Sequence, residues 1–143
     1  MFMKKTLCLA LLLSSFSSIA GDAFISKFTR ASSGSWCVSV SNVGNVSADV
    51  TINAFLSNGL AYTGSSASDG IPSSFNSPFT LVPNRTSLLC VNNIPGPTEH
   101  GYARIVSRPT SGEIDHTTYL IATEYWVTPD KQMHIPVNDG LPF

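Results

Sequence analysis

The chain has 143 residues, of which 43% are hydrophobic, 10% aromatic and 12% charged, and its formal net charge is −1. That length suits a single domain, and the low charge with scattered Pro, Gly and Ser excludes a coiled coil. The aromatic content excludes a disordered tail, and the lack of a basic surplus argues against a nucleic-acid partner.

Residues 1–20 read as a secretory signal peptide. Lys4 and Lys5 precede the apolar run Leu7–Leu13, and Ser18 and Ala20 put small side chains before Gly21. A membrane span needs about 20 apolar residues, so this run is too short to anchor the chain. Cleavage before Gly21 would remove both lysines and Cys8, moving the net charge from −1 to −3 by the loss of two positive charges. The expected product is bacterial, periplasmic or secreted, with no membrane span left. Its organisation reads as a sandwich domain over 21–137 and a C-terminal tail over 138–143.

Beyond residue 21 the pattern is alternation bounded by turn residues, not helical spacing. Phe24–Thr29 reads as an edge strand. Trp36, Val38 and Val40 alternate with Cys37, Ser39 and Ser41, and Asn42-Val43-Gly44-Asn45 turns the chain. Val50, Ile52, Ala54 and Leu56 alternate with polar neighbours up to Ser57-Asn58-Gly59. Residues 64–80, rich in Ser and Gly, read as a long loop with at most one short strand. Thr86–Val91, Tyr102–Ser107 and Thr118–Val127 read as strands, and Met133–Val137 as a second edge strand.

Cys37 and Cys90 are the two cysteines left after cleavage, and an oxidising compartment makes one disulfide their simplest state. If they face each other across two antiparallel strands, Val38 meets Leu89, Trp36 meets Val91 and Val40 meets Ser87. Ser39 then meets Leu88 and Ser41 meets Thr86 on the other face. The first set is the more apolar, so it should point inward and the cystine outward. A hairpin centred near Ile114 would likewise place Arg104 opposite Glu124 and Tyr102 opposite Trp126. The fold class is therefore all-β: a single antiparallel immunoglobulin-like sandwich of about seven strands with one cross-strand disulfide.

Val-Ser-Val-Ser-Asn-Val-Gly-Asn, Ala-Asp-Val-Thr-Ile-Asn-Ala-Phe-Leu-Ser-Asn-Gly, Leu-Val-Pro-Asn-Arg-Thr-Ser and Gly-Tyr-Ala-Arg-Ile follow one another in this order. Together, over Trp36–Val127, they resemble the bacterial cell-adhesion-related (CARDB) version of the immunoglobulin/fibronectin-III sandwich. The resemblance implies a fold; that family has no single activity and no catalytic residues to carry over. The cystine, the Ser-rich loop and the C-terminal extension depart from it.

Chemistry-bearing motifs are sparse. Glu113, Asp115 and His116 sit at the expected hairpin tip, the densest ligand-like cluster, yet without the tight spacing of a zinc motif. A polar solvated loop is the ordinary reading, so no metal and no cofactor are expected. Ser35 and Ser111 lack a nucleophile elbow, there is no glycine-rich phosphate loop, and no enzyme is expected. Tyr102, Arg104, Glu124 and Trp126 form the first candidate binding face, because Tyr, Trp and Arg dominate binding hot spots. Ile71, Phe75 and Phe79 form a second candidate, on the loop. The sequence thus points to an exported, non-enzymatic module that binds a protein or a glycan. An assembly subunit using a sheet edge and the tail is the alternative, and a small hydrolase or metal-binding protein comes third.

Overall fold

The computed structural model describes residues 21–68, 74–92, 95–112 and 117–143. The expected signal peptide, Ile71 and the Glu113, Asp115 and His116 tip lie outside the described residues. Alternating side chains and Gly, Asn and Pro turns give nine strands among them. These are β1 (Gly21–Arg30), β2 (Ser35–Asn42), β3 (Ala48–Leu56), β4 (Ala67–Ser68), β5 (Pro78–Leu81), β6 (Thr86–Val91), β7 (Glu99–Pro109), β8 (Leu120–Val127) and β9 (Gln132–Pro136).

They form two antiparallel sheets, ordered β1-β7-β3-β5 and β4-β6-β2-β8-β9, so the expected sandwich is present. From β1 to β8, successive strands alternate between the two sheets. β1 pairs with β7, β2 with β6 and β3 with β5, and all three pairs are centred close to Gly64. The chain is in effect one long hairpin rolled over on itself, the winding of a jelly roll. The first two strands, neighbours in an immunoglobulin sandwich, lie here in opposite sheets.

The cystine register is the expected one. Cys37 faces Cys90, with Trp36 opposite Val91, Val38 opposite Leu89 and Ser41 opposite Thr86. Trp36, Val38, Val40, Leu89 and Val91 are buried in the core, while the cystine lies on the outer face beside Ser39. A bulge between Ile25 and Phe28 shifts the alternation of β1, so that both side chains are buried. Phe28 then anchors an aromatic cluster, with its ring centroid 5.0 Å from those of Trp36 and Tyr62 and 6.0 Å from that of Phe75. Each such side chain contributes about 1.5–3 kcal/mol by leaving water. Asn42, at the end of β2, is buried and fully used. Its Nδ2 donates to the Val46 and Leu81 carbonyls, each at 2.8 Å, and its Oδ1 accepts the Gly44 N–H at 3.0 Å.

Two expectations are corrected. The hairpin between Tyr102–Ser107 and Thr118–Val127 does not form: β7 lies between β1 and β3, and β8 between β2 and β9. The rolled winding sends the chain across to the other sheet after β7, and such a crossing uses the same Pro and Gly turn residues as a hairpin. Phe75 and Phe79 are not an exposed recognition loop, because both are packed into the core. The C-terminal segment is held to the sandwich. Val137 is buried, and Phe143 exchanges two backbone hydrogen bonds with Leu120, at 2.9 and 3.0 Å.

Candidate functional site

In β8 the inward positions are Leu120, Ala122, Glu124 and Trp126. Glu124 thus occupies a position that alternation reserves for a core side chain. Its neighbours across the sheet are Val38 on β2 and Ile135 on β9, while Trp126 lies between Trp36 and Met133. A carboxylate in such a row needs a partner, since an unpaired buried charge is costly. The partner is Trp36, whose Nε1–H donates to Glu124 Oε1 at 2.8 Å.

The other oxygen is different. Oε2 accepts no hydrogen bond among the described residues, and it is not sealed from solvent, although the residue is only 6% exposed. It opens into a cleft of about 310 Å³ between β1 and the β8–β9 side of the opposite sheet. Burial raises the Glu124 carboxyl above the usual carboxylate range. The Trp36 hydrogen bond and the positive charge of Lys27 draw it part of the way back.

Each wall has a local cause. Lys27 lies within the bulged stretch of β1, where the shifted alternation directs it to the cleft. Thr29 follows on the same strand, and its Oγ1 is 3.3 Å from Nδ1 of His100 on β7, the residue opposite it. Trp126, Met133 and Ile135 form the apolar wall, with Met133 52% and Ile135 43% exposed. The result is a small concave site, with Glu124 set into an aromatic and aliphatic wall and a few polar groups from the opposite sheet converging on it.

The four residues expected to share one outer face do not meet. Tyr102 and Arg104 lie on the outside of the β1-β7-β3-β5 sheet, where Tyr102 stacks on Phe55 at 4.9 Å. Arg104 is held there by Asp22, with Nε 3.0 Å from Oδ1, and sits over the Phe24 ring at 5.4 Å. Glu124 and Trp126 face inward in the other sheet, because β8 neighbours β2 and not β7. Lys27, Thr29, Trp36, Met133 and Ile135 were not among the sequence candidates. The signal for the site was the run Leu120-x-Ala122-x-Glu124-x-Trp126, one acid in an otherwise apolar alternation.

A larger depression of about 450 Å³ lies on the outer face of the same sheet, lined by Ser39, Thr123, Tyr125 and the cystine. It has no charged side chain and no open buried acceptor, so the inner cleft is the better candidate. Among the described residues no group of three or more His, Cys, Asp or Glu could hold a metal ion. No helix among them is long and apolar enough to cross a membrane. Comparison of the chain with protein-family models, curated proteins and solved structures finds no match.

Proposed function

We propose that the protein is an exported, non-catalytic binding module of a bacterial envelope or cell surface, and that its cleft takes in part of a protein or glycan partner. The observation that carries this reading is Glu124: a carboxylate in a core position, with one oxygen fixed by Trp36 and the other open to the cleft. A fixed acceptor facing an open apolar wall is an arrangement for holding a ligand, and core packing alone would favour an aliphatic residue there. The Cys37–Cys90 bridge suits an oxidising compartment, in agreement with the signal-like residues 1–20.

The test is capture from native envelope fractions by the immobilised protein. Trp126→Ala should abolish capture; because Trp126 packs against the core, a loss of about 1–3 kcal/mol is expected as well, and circular dichroism checks that the variant is still folded at the capture temperature. Undiminished capture by that variant would overturn the assignment to this cleft. Assembly through a sheet edge is a second reading, favoured by one observation: every residue of the edge strand β9 is exposed. Light scattering after size exclusion separates the two, since a strict monomer counts against assembly.

A further inference from the structure

We infer that the ligand of the cleft is the neutral ring of a sugar, an assignment that rests on the binding reading above. The cleft walls have two characters. Trp126, Met133 and Ile135 give an apolar surface with Glu124 set into it beside Ile135, and Lys27 and His100, from the opposite sheet, place hydrogen-bonding groups along its rim. A matching ligand has one flat face of C–H groups and a rim of hydroxyls. Pyranose rings have that division, and their C–H face packs on an indole while their hydroxyls donate and accept at the edge.

Charge narrows the choice further. Lys27 and Glu124 face the same space, so an anion would meet the carboxylate and a cation the ammonium. An uncharged ligand satisfies both: one hydroxyl donates to Glu124 Oε2 and a second oxygen accepts from Lys27. The volume of about 310 Å³ is at the small-ligand scale. The fixed Oε1 also matters. Because Trp36 holds it, rotation of the carboxylate is restrained before the ligand arrives, which lowers the cost of ordering it on binding.

The chain has two tryptophans, Trp36 and Trp126, and both line this cleft, so intrinsic fluorescence reports on it selectively. The full-length exported protein is titrated with glucose, galactose, mannose and N-acetylglucosamine, and with glucuronate and glucosamine as charged counterparts. At least one neutral sugar should give a saturable change, with the charged counterparts binding more weakly. Glu124→Leu should weaken that binding at least about tenfold, the worth of one hydrogen bond to a charged group. Glu124→Gln, which keeps an acceptor in place and guards against a folding defect, should weaken it less. Absence of a response to every neutral sugar, or preference for a charged one, would overturn the inference. If envelope capture still depends on Trp126 in that case, the binding reading stands without the sugar; if the parent protein captures nothing, or Trp126→Ala captures as well as the parent, both fall.

Discussion

The Trp36–Glu124 pair offers a quantitative test of the site. Trp36→Phe keeps an aromatic ring in the core but removes the N–H that lies 2.8 Å from Glu124 Oε1. Two losses follow. The smaller ring vacates space beside Phe28 and Phe75, at about 1–2 kcal/mol for the missing apolar atoms. The carboxylate also loses its hydrogen-bonded partner, at about 1.5–3 kcal/mol for a bond to a charged group. The variant should therefore be about 2.5–5 kcal/mol less stable near neutral pH. In a Glu124→Gln background the bond removed is neutral and worth about 0.5–1.5 kcal/mol, so the same substitution should cost about 1 kcal/mol less.

The pH dependence gives this cycle its sign. Burial raises the Glu124 carboxyl in the folded state, so the native protein holds that proton more tightly than the unfolded chain does. Between the ordinary carboxylate value and the raised one, the native state carries more protons, and stability falls as pH rises. Glu124→Gln lacks this slope. Its stability relative to the parent should therefore improve through that window and level off above the raised value. Urea unfolding followed by circular dichroism, at several pH values from about 4 to about 8, measures all four corners of the cycle. A Glu124→Gln variant whose difference from the parent is the same at both ends would refute the buried, ionisable carboxyl. So would a coupling energy near zero at neutral pH.

Two further substitutions probe the scaffold. Cys37→Ser with Cys90→Ser opens a loop with a sequence separation of 53, which the chain-entropy relation equates with a loss of about 4 kcal/mol. For a domain of about 120 residues that is a drop of about 15 °C in Tm, checked by calorimetry; a drop of only a few degrees would mean that strand pairing alone holds β2 to β6. Asn42→Ala removes three hydrogen bonds, two of them buried, and leaves the Val46 and Leu81 carbonyls to find other partners. A loss of at least about 2–3 kcal/mol in urea unfolding is expected, whereas a near-neutral result would show that water replaces the amide.

What was legible in the sequence follows from how each feature is encoded. The β2–β6 register could be read because a covalent constraint, Cys37 to Cys90, left one alignment that also sorted apolar from polar residues. The inward face of β7 could be read because Ala103 and Ile105 alternate with Tyr102 and Arg104. The partner of β8 could not. Successive strands usually pair, and Pro109 and Gly112 look the same whether the chain turns back in one sheet or crosses to the other. That single choice reversed the facing of β8 and placed Glu124 and Trp126 outside. Phe75 and Phe79 were ambiguous for a related reason: aromatics within a Ser-rich segment go inward only if the segment lies over a core, which local pattern does not encode.

The location of the cleft follows from the winding. Three nested pairs, β1 with β7, β2 with β6 and β3 with β5, account for the rolled hairpin. β8 and β9 come after those pairs are complete and add to the free side of β2, so their sheet has five strands against four. The added pair runs past β1, the edge of the opposite sheet, and its inner face is covered only in part: Ala122 is buried, whereas Met133 and Ile135 are open. A carboxylate can sit in a core position there because one side of it faces solvent-accessible space and the other faces the indole of Trp36. The same geometry separates the residues that set stability from those that set specificity. Met133 and Ile135 can change the shape of the ligand wall while the sealed rows of β2, β6 and β7 remain as they are.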